Sequence, residues 1–446
     1  SPVVVIATDI PSTLRRDGVY RGVLHETTDQ TALFASVTKY RCVAEEARFT
    51  GALISNAVAL AAAAPAGPVY VGIPTDVLAG RSPTFQPYQR RGEARPDVRE
   101  AMTAIGNASR PLIWIGGGAR DTREGIDALA RTLGAPVVAT YQARGVLPTG
   151  HPMLVPAPPH EPEVTELITR ADLAIVIGSD LDYMNTMGWL LPLPERRVAI
   201  NVDAADATKN MAMDVVVEAR AEDAIDAIAT FLDAREPWAG DLSALGKTIR
   251  ERLRADVETA DAVTFLESTE AALPDDAIVF ADMCIPGYWL AGHLRVSAAR
   301  GLHYPIGWGT LGFAFPAAIG ASVAFGDDHP VVAFVGDGGM LFGIGELAAV
   351  AQERLPLTVV VVDDGGYGML RFGHEGVANG SDLSPVDFVA VARGFGIEAE
   401  RTEGVGAAYE QALARCVAAR EPRLLHVTAS LYPPVTTSPR WPIRST

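Results

Sequence analysis

Residues 334–343 read FVGDGGMLFG, where an apolar run from Val331 to Val335 ends among glycines with one carboxylate, Asp337, between them. The figure recurs at 357–366, LTVVVVDDGG, where four valines lead to Asp363, Asp364 and two more glycines. A valine run of strand length with no polar alternation belongs to a parallel sheet covered on both faces, and the acids and glycines belong to the loop beyond it. In open sheets of this kind ligands sit past the carboxyl ends of the strands. Glycines there let main-chain N–H groups approach an anion, and the following helix turns its positive end the same way. Carboxylates beside a phosphate need a hard cation between them, and Mg²⁺ takes that mixture of carboxylate, carbonyl, water and phosphate oxygens. Acidic turns follow strands in many α/β proteins, so neither acid alone is decisive; together, Asp337 and Asp364 read as a joint metal and diphosphate site.

Outward from that stretch the chain shows three blocks of alternating strand and helix patterns. In the first, residues 1–79, PVVVIA and GPVYVGIP are strands and ARFTGALISNAVALAAAA is a helix. Residues 80–95, rich in Pro, Gly and Arg and without a period, read as a linker. The second block, 96–235, carries short apolar runs ending in turn chemistry, among them RPLIWIGGGAR, ADLAIVIGSD and RRVAINVD. A charged segment, 236–261, leads to the third block, 262–446, with AIVFAD, VVAFVGDGG, LTVVVVDDGG and RLLHVTAS as strands and GIGELAAVAQER and GAAYEQALARCVAAR as helices. The fold class expected is α/β, with three successive parallel-sheet domains.

Composition removes several classes of function. The chain has 446 residues, 48% hydrophobic and 20% charged, enough for substantial cores. With 37 basic against 54 acidic residues and a net charge of −17, it is no partner for nucleic acid or an anionic membrane. Three scattered cysteines, Cys42, Cys284 and Cys416, suggest neither a disulfide framework nor a zinc site and fit a cytoplasmic location. The longest apolar stretch, around Ala59–Pro74, is broken by Pro65, Gly67 and Pro68, so no membrane span is expected. The WIGGGA turn, 114–119, reads as a tight strand-to-helix turn rather than a dinucleotide motif.

GDGGMLFGIGELAAVAQERLPLTVVVVDDGGYG, 336–368, resembles the thiamine diphosphate signature, including the spacing from Asp337 to Asp364. WGTLGFAFPAAIGASVA, 308–324, resembles the segment before that signature in acetolactate synthases and benzoylformate decarboxylases, and residues 2–40 resemble the latter part of their pyrimidine-binding domain. The resemblance implies a pyrimidine-binding domain, a central Rossmann-like domain and a diphosphate-binding domain, the outer two with the thiamine diphosphate-binding fold. It implies that Asp337, Asp364 and the Gly366 carbonyl hold Mg²⁺, that Gly338 and Gly339 meet the diphosphate, and that Leu311 wedges under the cofactor. It further implies that the Gly309 carbonyl accepts from the aminopyrimidine and that Met369 and Leu370 line the reaction centre. By composition alone, Leu311, Met369 and Leu370 would be core residues.

Three departures from the family pattern qualify what is expected. The front of the pyrimidine-binding domain, with its activating glutamate, is missing, and Glu26 falls on a later family position; the chain is expected to be a truncated or partial form of a longer enzyme. Asp364 stands where the family usually has Asn, which strengthens the demand for a divalent cation. Gly373 takes the place of a substrate-region Trp of acetolactate synthases, and 149–167 lacks their flavin-associated stretch, so FAD is not expected. The function implied is a thiamine diphosphate- and Mg²⁺-dependent 2-oxo acid decarboxylase or carboligase, with an acetolactate synthase or a cofactor-binding but inactive subunit as alternatives. His25 is the candidate for proton transfer or substrate binding, and a guanidino 2-oxo acid is a suitable substrate if acids line the pocket. A homodimer or homotetramer is implied, because relatives hold the two ends of the cofactor on different subunits.

Overall fold

The computed structural model describes residues 1–16, 18–83, 95–229, 232–373, 380–437 and 441. The chain divides into two compact units, Ser1–Ala94 and Arg95–Thr446. All strand pairs are parallel, arranged in three sheets, as the valine runs require. Most of the segment read as the first linker, 84–94, lies outside the described residues.

The first unit holds strands β1 (Val4–Asp9), β2 (Tyr40–Val43) and β3 (Val69–Pro74) in the order β1-β3-β2. Central β3 is buried along its whole length, and the helix Ala47–Ala62 covers it with the small side chains of Ala57 and Ala61. Outer β1 has no buried residue.

In the second unit, β4 (Pro111–Ile115), β5 (Val137–Ala139), β6 (Leu173–Ile177), β7 (Arg197–Asn201) and β8 (Val215–Glu218) form a sheet in the order β5-β4-β6-β7-β8. The WIGGGA turn lies at the end of β4, where Gly116 and Gly118 pack so closely on Gly178 that side chains at either position would strike its backbone. A third sheet has the order β10-β9-β11-β12-β14-β13, built from β9 (Ile278–Ala281), β10 (Leu302–His303), β11 (Val331–Gly336), β12 (Leu357–Asp363), β13 (Glu398–Glu403) and β14 (Arg423–Thr428). All six residues of β11 are buried, as are the first six of β12. At about 1.5–3 kcal/mol for each large apolar side chain removed from water, these two strands anchor the sheet on which the acids ride.

Two helical segments differ from the periodicity reading. The 236–261 segment contains a 14-residue helix, Leu242–Ala255, whose Leu242, Ile249 and Leu253 join the core. The helix expected from Gly343 is divided: one helix starts already at Asp337 and ends at Gly343, and after a single 3₁₀ turn another spans Leu347–Gln352. Among the described residues no helix is long and apolar enough to cross a membrane.

Candidate functional site

β9, β11 and β12 are neighbours in the third sheet, and each delivers an acid to the same edge: Asp282 after β9, Asp337 after β11, Asp363 and Asp364 at the end of β12. Register fixes this placement, since Phe334 pairs with Ala281 and Gly336 with Val362. A cavity of about 500 Å³ lies there, lined by Asp337, Asp363 and Asp364 with Leu341, Ser384 and Ser430. That volume suits a cofactor-sized ligand.

Asp337 is only 4% exposed. Burial, and then the charges of Asp364 and Asp363, push its carboxyl up to about 7, against the pull of the Gly338 N–H. Its neighbours have counter-groups of their own. Asp364 meets Arg371 at 2.8 Å, and Asp363 accepts from His426 Nε2 at 2.8 Å while Arg401 donates to His426 Nδ1 at 3.1 Å. Asp337 has no cationic side chain among these contacts, so the arrangement accommodates one further positive charge. Among the described residues no three His, Cys, Asp or Glu side chains are grouped as a ready metal cage. Two carboxylates with main-chain oxygens, completed by water and phosphate, are what Mg²⁺ accepts, so the residues fit a metal-bound diphosphate.

Crowding explains several of the glycines. A side chain at Gly338 would come within 2.5 Å of the Tyr367 ring, and one at Gly339 would strike the Asp282 carboxylate. The loop after β12 is similarly tied: Gly366, at φ 147°, has no room beside Ser381, Tyr367 N–H donates to the Ser381 carbonyl at 2.7 Å, and Leu383 N–H donates to Gly365 at 3.0 Å. Only glycine holds that φ without strain in so narrow a space.

Asp282, just past the end of β9, organises the turn before the helix Ala314–Phe325. Its carboxylate accepts N–H bonds from Gly312 and Phe313, both at 2.9 Å, and from Ala314 at 3.3 Å, at the start of the helix Ala314–Phe325. Burial pushes this carboxyl up while the N–H donors pull it down. The grip fixes the preceding turn, in which Gly309 sits at φ 61° and Leu311 is 38% exposed. Leu370 is 51% exposed and Met369 half-buried, so of the three apolar candidates only Met369 packs against the core.

His25 belongs to the first unit, exposed and at φ 67°, a region uncommon for a residue with a side chain. Glu26 is spent on its own turn, accepting from the N–H groups of Arg21 and Val23, both at 2.9 Å. Sequence reasoning singled out Asp337 and Asp364 but not Asp282, Arg371 or His426. For Asp282 the signal was present, because AIVFAD ends an apolar run on an acid as VVAFVGD does.

Residues 283–427 match the family model for the thiamine pyrophosphate enzyme C-terminal TPP binding domain, and residues 98–228 match that for the thiamine pyrophosphate enzyme central domain. The chain is 30% identical over 399 residues to the probable 2-ketoarginine decarboxylase AruI of Pseudomonas aeruginosa, covering 84% of this chain and 69% of that protein. It is 25% identical over 413 residues to the acetolactate synthase isozyme 1 large subunit of Escherichia coli, covering 89% and 72%. The solved structure of the thiamine diphosphate-dependent 4-hydroxybenzoylformate decarboxylase of Rhodococcus jostii superposes with a TM-score of 0.79 at 23% identity, over 97% of this chain and 83% of that one, a likeness of fold.

Proposed function

Since this chain belongs to the thiamine pyrophosphate-dependent enzymes of the decarboxylase and acetolactate synthase superfamily, we propose that it decarboxylates a 2-oxo acid with thiamine diphosphate and Mg²⁺ and without flavin. The observation that carries this reading is the convergence of Asp337, Asp363 and Asp364 at the ends of two paired strands, with Asp337 buried and without a cationic side chain against it among the described residues. In the proposed assignment Asp337, Asp364 and the Gly366 carbonyl hold Mg²⁺, and the main chain at Gly338 and Gly339 faces the diphosphate. Thiamine diphosphate, when bound, supplies the electron sink for loss of carbon dioxide. The protein's part is to bind, orient and dry the site. Asp282 fixes the turn from which Leu311 supports the cofactor and the Gly309 carbonyl accepts a hydrogen bond; Met369 and Leu370 exclude water from the reacting face. His25 is the proposed proton carrier or substrate contact.

The further assignments are residues 1–79 as pyrimidine-binding domain, 96–235 as central domain and 262–446 as diphosphate-binding domain, with linking segments between. A cytoplasmic homodimer or homotetramer completes the reading. The relation to a probable 2-ketoarginine decarboxylase favours a 2-oxo acid with a cationic tail. The test is carbon dioxide release from 2-oxoarginine, pyruvate and benzoylformate, with calorimetry of thiamine diphosphate in Mg²⁺. Release is expected to be fastest with 2-oxoarginine, and Asp337→Ala should abolish Mg²⁺-dependent cofactor binding. Unchanged cofactor affinity in that variant would remove the metal assignment, and a stoichiometric flavin spectrum with acetolactate as product would move the chain to the synthases.

A further inference from the structure

A second cavity, of about 720 Å³, opens within the Arg95–Thr446 unit and shares no lining residue with the acidic one. Three segments distant in sequence build it: the stretch after β5, the helix Leu242–Ala255, and the segment His293–Val296. One wall is apolar, with Leu154, Val155, Pro156 and Leu294. Four arginines also line the cavity, Arg144, Arg250, Arg254 and Arg295. Arg144 donates only to main-chain carbonyls, those of Gly292 at 2.7 Å and of Leu294. Arg250 donates through Nη2 to Glu270 at 2.9 Å and to the His293 carbonyl at 3.0 Å, whereas its Nη1 is buried without a partner.

Basic residues on the lining exceed acidic ones by one, Arg144, Lys247, Arg250, Arg254 and Arg295 against Asp241, Glu251, Glu267 and Glu270. Glu270 is the one carboxylate bonded to the guanidiniums of Arg144 and Arg250, and it also accepts from the Arg295 N–H at 3.0 Å. The buried carboxylate of Glu161 is already engaged by Arg252 and stands 3.3 Å from His293 Nε2; Arg254 is paired with Glu267. A buried guanidinium nitrogen without a partner is unfavourable until an acceptor reaches it, and a planar oxyanion matches the guanidinium fork. Burial, and the neighbouring Arg250 charge against the offsetting Glu270, leave the Arg144 guanidinium down at about 10.

We propose that this cavity is a binding site for a small organic anion, with its carboxylate or phosphate head on Arg250 and Arg144 and an apolar body along Leu154–Pro156 and Leu294. Nothing in this proposal depends on which 2-oxo acid the acidic site takes. Because the helix Leu242–Ala255 contributes Arg250, an anion here would tie that helix to both of its neighbouring segments and raise the melting temperature by binding the folded state alone.

Calorimetric titration of the full chain with hexanoate and with hexyl phosphate tests this. One molecule per chain is expected, with affinity at least tenfold weaker in Arg250→Gln, and equally weakened in Ser243→Trp, which adds bulk at a lining position and leaves the arginines in place. Asp337→Ala, in the other cavity, should bind the probe as the parent does. Absence of binding by both probes overturns the proposal, as does binding that survives both lining variants or that is lost in Asp337→Ala. The tighter of the two probes identifies the head group.

Discussion

His160 is a buried imidazole whose Nε2–H donates to the Met184 carbonyl at 2.7 Å, while its Nδ1 finds no partner and its ring lies between those of Tyr141 and Trp441. Burial is the main reason its pKa falls to about 4. In the unfolded chain it would titrate near 6.5, so between 6.5 and 4 the unfolded state binds the extra proton and stability falls with falling pH. The full effect is roughly 3 kcal/mol, reached once the pH is below both values. Urea midpoints at pH 7.5 and 5 should therefore drop more for the parent than for His160→Gln; equal drops would mean that this ring does not carry the dependence. Asp282 invites a second test. Asn at this position turns one oxygen into a donor facing main-chain N–H groups, which should cost roughly 1–3 kcal/mol and weaken thiamine diphosphate binding at least tenfold; a stability loss with unchanged affinity would confine Asp282 to folding. Asp337 and Asp364 were legible because each follows a valine run within one local pattern. Asp282 carried the same local signal, but its role was not legible, because the N–H groups it holds lie 30 to 32 residues along the chain and only folding brings them to it.

Four strands of the third sheet, β9, β11, β12 and β14, could be read directly, since a buried parallel strand needs continuous apolar character, whereas two-residue β10 and charged β13 could not. The helix Leu242–Ala255 was harder, because its sequence, LSALGKTIRERLRA, is dominated by charge and resembles a solvated connector. Three of those charges, Arg250, Arg252 and Arg254, are engaged with carboxylates. Asp241 caps the first turn by accepting from Ser243 and Ala244, and near the other end Arg252 reaches Glu163 at 2.6 Å and the fully buried Glu161. Their weights differ. Losing the cap in Asp241→Ala should cost about 1 kcal/mol. Arg252→Met strands the Glu161 carboxylate in the interior, and because His293 remains beside it the loss should be roughly 3 kcal/mol, the lower end for a broken buried pair. Equal midpoints for the two variants in urea would show that Glu161 relaxes into water or takes up a proton when its arginine is gone. The helix after β11 teaches a related lesson. Apolar periodicity from Gly343 onward cannot reveal that helical backbone begins at Asp337, because three of its first seven residues are glycines chosen for room rather than for propensity.

At the scale of the molecule, several large apolar side chains stand in water. In the second unit Trp308 is 88% exposed and Phe342 69%, and both flank the turn that carries Leu311. In the first unit Leu24 is 80% and Leu33 67% exposed, and strand β1 buries none of its residues. Scattered apolar residues are ordinary on protein surfaces, but large ones gathered beside a candidate cofactor site mark a surface that something else occupies. A second copy of the chain, as the proposed function has it, would cover the exposed residues around Leu311 with a single contact. The resemblance implied assembly, but not which side chains stand exposed, since in the sequence Trp308 is simply one apolar residue among others. Sedimentation equilibrium should accordingly find a homodimer or homotetramer, and Trp308→Glu, by setting a charge into the contact, should weaken assembly at least tenfold. If assembly and cofactor site are one structure, Mg²⁺-dependent thiamine diphosphate affinity in that variant should fall with dilution and recover as the chain is concentrated. An affinity independent of chain concentration would place the cofactor within a single subunit, and the exposed rim would then need another explanation.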